Sequence, residues 1–199
     1  AERGGTMVAG GVFVAIGVGC GFAAVRHALR HPAPLLALAA TRIPTFALST
    51  VTAGMIARIA ISMTPFLLPL MFQIGFGESA FEAGIMLLVY MAGNLAMKSV
   101  TTPILHRFAF RDVIRINGAL CVAALLACAI LSPGVPLPFV YAALFAAGLT
   151  RSMHFTSMNT LAFADVPPHL TAGAATLAAM AQQVAGTLGV AVAALVLAF

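Results

Sequence analysis

Long apolar runs recur along almost the whole chain, and each is close to the length that a helix needs to cross a lipid bilayer, about 20 residues. Of the 199 residues, 62% are hydrophobic and only 8% are charged, and the mean hydropathy is +1.07. Too few polar side chains are present to cover a water-facing globule. The composition therefore excludes a soluble enzyme, a nucleic-acid-binding module and a disordered linker, and it predicts a membrane protein.

Six transmembrane helices are predicted from these runs, with no soluble domain between them. We expect an all-α, polytopic bundle that contacts the lipid bilayer on its outer faces. The run at 32–40 is too short to span and is predicted to be an interfacial or linker segment. The predicted spans are residues 6–25, 46–72, 83–102, 113–131, 139–163 and 171–199.

Basic residues are distributed unevenly among the connecting segments, and this asymmetry predicts the orientation. If the spans alternate, seven Lys and Arg residues fall on one side of the membrane and one on the other, while two lie within spans. Short loops rich in Lys and Arg remain in the cytoplasm. We therefore predict that the turns at 75–79 and 132–136 face outward. The seven predicted cytoplasmic residues are Arg26, Arg30, Arg42, Lys98, Arg107, Arg111 and Arg115.

Arg58 and Arg151 lie inside predicted spans, where a charge is costly and indicates function. Arg58 is about 18 Å of helical rise from Phe46, near the middle of a hydrocarbon layer about 30 Å thick, and Arg151 lies at a similar depth. All five Asp and Glu residues fall in loops or at span ends. We therefore expect both arginines to face a water-filled cavity, or to meet a counter-charge from a missing half of the protein or from an anionic ligand.

The surroundings of Arg151 extend this candidate cavity. The run 150–160 is the most polar stretch of any span, and helical spacing puts Arg151 and His154 on one face with Asn159 on its flank. His154 is either a proton relay or simply hydrogen-bonded. The alternative for each buried arginine is that it caps backbone carbonyls or snorkels along its helix.

Three further polar residues in spans are candidates. Gln182 and Gln183 either contact substrate or form hydrogen bonds between helices. Lys98, near the inner end of its span, either snorkels or makes a gating contact. Each is predicted from its position in an apolar run.

Motifs for enzymatic chemistry are absent from the sequence. There is no phosphate-binding glycine loop with a Lys, no H-E-x-x-H and no G-x-S-x-G. No Cys and His spacing is typical of a metal site, and no cofactor is expected. Since no span pairs a nucleophile with a base, or two carboxylates with each other, we do not predict an enzyme.

An ordered set of short stretches along the chain is typical of one family. The stretches are residues 66–77, 83–84, 106–111, 151–152, 155–156, 159–161 and 165–168, followed by Gln182, Gln183 and Gly189. Together they resemble the C-terminal half of a major facilitator superfamily transporter. Within that superfamily the similarity is to the fourteen-span drug:proton antiporter branch, the EmrB/QacA type.

The resemblance implies which helices line a cavity. In that family the seventh and tenth spans line the central cavity, which would make the helices of Arg58 and Arg151 the lining ones, and the helix at 113–131 the lipid-facing one. The basic loop is similar to a cytoplasmic motif that reads D-R-x-G-R-R, with His106 in place of its acid. The residues assigned to this cytoplasmic loop motif are Lys98, Arg107, Arg111 and Asp165.

The resemblance also implies a domain organisation and an activity. Residues 1–44 would be an extra transmembrane span with a cytoplasmic linker, and residues 45–199 the C-terminal transporter half without its last span. The chain would be a fragment of a proton-coupled multidrug exporter of the bacterial inner membrane, inactive alone, with a small amphipathic substrate. The alternative is a small membrane protein that self-associates as a channel or scaffold.

Overall fold

A computed structural model describes residues 2–30 and 37–197. It contains six long helical segments in these ranges. The second of them has π-helical turns at both ends, Ala47–Val51 and Met71–Gly75, and is interrupted at Thr52. The segments are α1 Glu2–Arg30, α2 Pro44–Gly75, α3 Ala80–Arg107, α4 Phe110–Ala129, α5 Leu137–Phe163 and α6 Thr171–Leu197.

The helices extend beyond several of the predicted spans. α3 begins earlier because Ser79 and Glu82 form a capping box, in which each side chain bonds the other residue's backbone N–H. It continues through Pro103 to Arg107, so only residues 108 and 109 separate it from α4. The basic stretch at 106–111 is therefore helical except at residues 108 and 109. The short run at 32–40 lies largely outside the described residues.

Five of the six helices are long and apolar enough to cross a membrane, counted over the described residues. The exception is α5, which has 27 residues but contains the polar run around Arg151. It packs against α3 on one side and α4 on the other. Because its neighbours cover these faces, its polar side chains do not have to face lipid.

The packing divides the bundle into two groups. α3, α4 and α5 form one group and α2 and α6 the other, and α2 joins them by contacts to α3 and α5. α4 packs mainly on α5 and exposes Ile116, Leu120 and Leu126. That the helix at 113–131 faces lipid stays a prediction. The described side chains of α1 are also exposed, among them Phe13 and Phe22.

Glycines set the close approach of α3 and α5. A Cβ atom added to Gly148 would lie 2.0 Å from the backbone oxygen of Tyr90, and one added to Gly93 would lie 2.2 Å from that of Phe145. Small residues allow helix backbones to approach closely in membrane proteins. Asn94 lies at this crossing and Arg151 one turn beyond Gly148, and both line the same pocket.

Two buried apolar clusters lie at different levels of the bundle. One contains Leu68, Phe72, Ala83, Met86, Tyr90, Ala124, Cys128, Val140, Leu144 and Ala147. The other contains Ala37, Ala40, Phe46, Ala162, Ala174 and Ala178. Arg58 and Arg151 each fall, along their own helix, between members of the two clusters. The charged residues therefore occupy an intermediate level with an apolar layer on either side.

Asn117 links α4 to α5 by a hydrogen bond. It is buried, and its Nδ2 donates a hydrogen bond of 2.9 Å to the Thr150 backbone oxygen. Replacing Asn117 with Leu removes this bond, which is worth about 1 kcal/mol, and should lower the Tm of the purified chain by about 2–4 °C. Leu126→Ala, on the exposed face of the same helix, is the control and should leave Tm nearly unchanged. An equal decrease in both variants would contradict the role of Asn117.

Candidate functional site

A pocket of about 300 Å³ opens at the intermediate level, where α2, α3, α5 and α6 converge. This volume is at the lower end of the range for small-molecule sites, about 300–1,000 Å³. No Asp or Glu lines it in the part of the chain that the structure describes. The lining residues are Arg58, Ile61, Ser62, Asn94, Lys98, Arg151, Ser152, Phe155, Thr156 and Gln182.

Helical periodicity explains how three of the helices present polar side chains to this pocket. Residues four apart lie on the same face of a helix, one turn above the other. Each of α2, α3 and α5 contributes one such polar pair. The pairs are Arg58 with Ser62, Asn94 with Lys98, and Ser152 with Thr156.

Arg58 is nearly inaccessible, with 4% of its surface exposed. Its Nη2 donates hydrogen bonds to Asn159 Oδ1 at 2.9 Å and to the Ser49 backbone oxygen at 3.4 Å. Its guanidinium carbon lies 5.5 Å from the centroid of the Phe155 ring, a cation–π distance. Its Nε and Nη1 are buried without a hydrogen-bond partner. The guanidinium is therefore held in place by neutral groups, with donors left over.

The local backbone of α2 brings the Ser49 carbonyl to Arg58. A Cβ atom on Gly54 would overlap the Ser49 carbonyl, so only glycine leaves room for this approach. The π-helical turn at Ala47–Val51 and the bend at Thr52 place the Ser49 carbonyl beside Gly54. The Ser49 hydroxyl donates to the Thr45 backbone oxygen, and the Ser49 carbonyl accepts from the arginine.

Arg151 faces the pocket from the opposite group of helices. Its guanidinium carbon lies 5.7 Å from the centroid of the buried Tyr90 ring, and its Nε has no hydrogen-bond partner. It also lines a second, adjoining pocket of about 430 Å³, together with Ser62, Gln183 and Gly186. Arg151 therefore stands at the junction of two cavities.

The structure brings together most of the residues predicted for the cavity. Arg58 and Arg151 line the same pocket, Asn159 bonds Arg58, Gln182 lines the pocket, and Gln183 lines its neighbour. His154 differs, because it lines neither pocket, and its Nδ1 is buried without a hydrogen-bond partner. The pocket face of α5 runs through Ser152, Phe155 and Thr156 instead, about one residue away from the predicted face.

Lys98 lies within α3, as expected from its predicted span, and lines the pocket with Arg58 and Arg151. It was predicted to lie near the inner end of the span, either snorkelling or in a gating contact, and was grouped with the cytoplasmic loop motif. The other residues assigned to that motif, Arg107, Arg111 and Asp165, are exposed at the helix ends. The polar pair of Asn94 and Lys98, spaced by four in an apolar span, is the signal that indicates the pocket.

The sequence profile of the Major Facilitator Superfamily matches residues 3–190, nearly the whole chain. The chain belongs to this superfamily. The apolar helices and this membership make it a multi-pass protein of the bacterial inner membrane, in contact with lipid.

Similar proteins named "Putative multidrug resistance protein MdtD" occur in enterobacteria. The protein from Citrobacter koseri is 34% identical over 185 residues, which are 89% of this major facilitator chain and 38% of that protein. The Pectobacterium carotovorum protein is 35% identical over 174 residues, 86% of this chain and 36% of its own length. The Escherichia coli protein is 35% identical over 188 residues, which are 92% of this chain and 39% of that protein.

This major facilitator chain thus spans less than two-fifths of the length of these curated relatives. No solved structure matches it significantly.

Proposed function

We propose that this chain is the C-terminal part of a proton-coupled multidrug exporter of the fourteen-span EmrB/QacA branch. In this proposal residues 1–44 form an extra span with a cytoplasmic linker, and residues 45–199 form the C-terminal half without its last span. The names of the enterobacterial relatives support multidrug export. In this proposal the polypeptide takes part in transport and does not catalyse a reaction.

One observation carries the proposal: a pocket lined by charged and polar groups, at mid-height in a bundle of apolar helices. Transporters of this kind bind substrate near the bilayer midplane, between two repeats that rock against each other. Lys98 and Gln182 line the pocket and are exposed, so a second bundle can close over this side. A partner half would meet substrate there, and one half alone would not export.

The basic residues support the predicted orientation. α2 and α3 are consecutive antiparallel helices, so Arg42 before α2 and Arg107 at the end of α3 lie at the same end of the bundle. Arg111 follows immediately in α4. We assign this end to the cytoplasm by the positive-inside rule.

Export can be tested in bacteria that lack their main efflux pumps. The complete gene product that contains this chain should lower the accumulation of at least one amphipathic dye by severalfold. A protonophore should restore accumulation, because the export is driven by the proton gradient. Expression of residues 1–199 alone is the matched control and should leave accumulation unchanged.

The alternative, a self-associating channel or scaffold, gives a different result in the same cells. Residues 1–199 alone would then change membrane conductance or dye uptake, and they would purify as a stable homo-oligomer. Unchanged dye accumulation with the complete gene product, over a panel of cationic, anionic and neutral compounds, would contradict multidrug export.

A further inference from the structure

The pocket at the centre of the bundle carries an unbalanced positive charge. Arg58, Lys98 and Arg151 all line it, and no acidic side chain of the described residues does. Charges of one sign around a small, partly desolvated cavity raise the local concentration of the opposite charge. The three cations come from three different helices, so the fold brings together what the sequence keeps apart.

Two arginines that line the pocket also have buried hydrogen-bond donors without a partner, and this indicates an anion. An arginine that only stabilises the fold uses its donors on carbonyl or carboxylate oxygens, because burying an unpaired donor is costly. Only 4% of the surface of Arg58 is exposed, yet its Nε and Nη1 have no hydrogen-bond partner. Arg151 Nε also has no hydrogen-bond partner. A planar guanidinium matches the oxygens of a carboxylate or phosphate.

We propose that this pocket binds the oxyanion group of an amphipathic organic anion, a carboxylate, sulfonate or phosphate. The inference rests on the proposed function for its role in transport, and it names the substrate class. A single carboxylate from a partner half would balance only one of the three cations. Ile61 and Phe155, which line the same pocket, supply apolar surface for the body of the ligand.

The test compares three probes that share one apolar body and differ in headgroup charge: 1-pyrenebutyrate, 1-pyrenebutanol and 4-(1-pyrenyl)butyltrimethylammonium. The complete gene product is placed in phosphatidylcholine nanodiscs, so that no anionic lipid competes. Equilibrium dialysis against protein-free nanodiscs then gives Kd for each probe. We expect saturable binding of the butyrate, at least tenfold tighter than that of the alcohol or the ammonium compound, and weaker at higher salt.

Variants test whether the butyrate probe binds in this pocket. Lys98→Met removes an exposed cation and should weaken butyrate binding about tenfold without unfolding the protein. Asn159→Asp retains Arg58 but places a carboxylate at the position of the oxygen that Arg58 Nη2 now bonds, 2.9 Å away, and it should weaken binding similarly. Arg115→Met, an exposed cation on α4 away from the pocket, is the matched control and should bind butyrate like the wild type.

Equal affinity for the three probes, preference for the ammonium compound, or unchanged butyrate binding in both pocket variants would overturn the proposal. Dialysis requires no proton gradient and no transport. Anion binding without export would therefore contradict the proposed export function but support the anion site. Export without anion binding would contradict only the anion site.

Discussion

Replacing Arg58 with Ala should reduce export by the complete transporter by a factor of about 10 to 100. The change removes the most buried charge of the pocket and leaves Asn159 Oδ1 without its donor. Hydrogen bonds to charged groups contribute about 1.5–3 kcal/mol, which corresponds to this range of rates. Arg151→Ala should act in the same direction, since Arg151 lines the same pocket from α5. The measurement is the initial rate of dye efflux, normalised to the amount of protein in the membrane.

Arg115→Ala is the matched control for these variants, because Arg115 is exposed and lies outside the pocket. It should export at the wild-type rate. Arg58→Lys retains the charge and is expected to recover only part of the activity, since an ammonium group cannot reproduce the planar guanidinium that both bonds Asn159 and lies over Phe155. Wild-type export by both Arg58→Ala and Arg151→Ala would contradict the assignment of this pocket as the substrate cavity.

Replacing Gly148, the one glycine of α5, with Ala should strongly destabilise the protein. The new Cβ would lie 2.0 Å from the Tyr90 backbone oxygen and 2.9 Å from the Asn94 backbone nitrogen. Backbone atoms cannot rotate away as a side chain does, so α3 and α5 must separate. Overpacking costs about 1–3 kcal/mol, and we expect the upper end or more here. Thermal unfolding followed by size-exclusion chromatography measures the effect.

Gly84→Ala on α3 tests whether the contact, and not the loss of glycine, causes this change. No atom lies within 4 Å of a Cβ built on Gly84, so alanine there should be neutral or slightly stabilising. Gly148→Ala should also reduce export, because Arg151 is one turn further along α5 and Asn94 lies at the same crossing. Equal stability of the two variants would contradict the close packing of α3 and α5.

The helices themselves are largely predictable from the sequence, because lipid requires long apolar segments whose backbone hydrogen bonds are satisfied internally. The predicted span at 139–163 is observed as Leu137–Phe163, although its polar run makes it the one long helix of the described residues without a stretch apolar enough to count as a membrane span. Boundaries were less predictable. The capping box at Ser79 and the helical continuation through Pro103 depend on local hydrogen bonds and packing that hydropathy does not register.

The site was predictable in its buried charges and less so in its geometry. Arg58 and Arg151 stand out in the sequence because charge is rare in apolar runs. His154 stands out for the same reason, yet it lies off the pocket face, since a shift of one residue turns a helical side chain by about 100°. Lys98 was assigned to the cytoplasmic end, because its distance from the centre of the span could be counted but its neighbours on other helices could not.

The sequence alone determined that this chain is a membrane bundle, with two arginines at mid-depth and no acid to pair with them. That conclusion depends on composition and spacing, which are local properties of the chain. Only the tertiary structure decided which helices meet: the glycine crossing of α3 and α5, and the packing of α2 against both, bring Arg58, Lys98 and Arg151 to one pocket. Contacts between residues far apart in sequence depend on packing complementarity between helices, and no single helix carries that information.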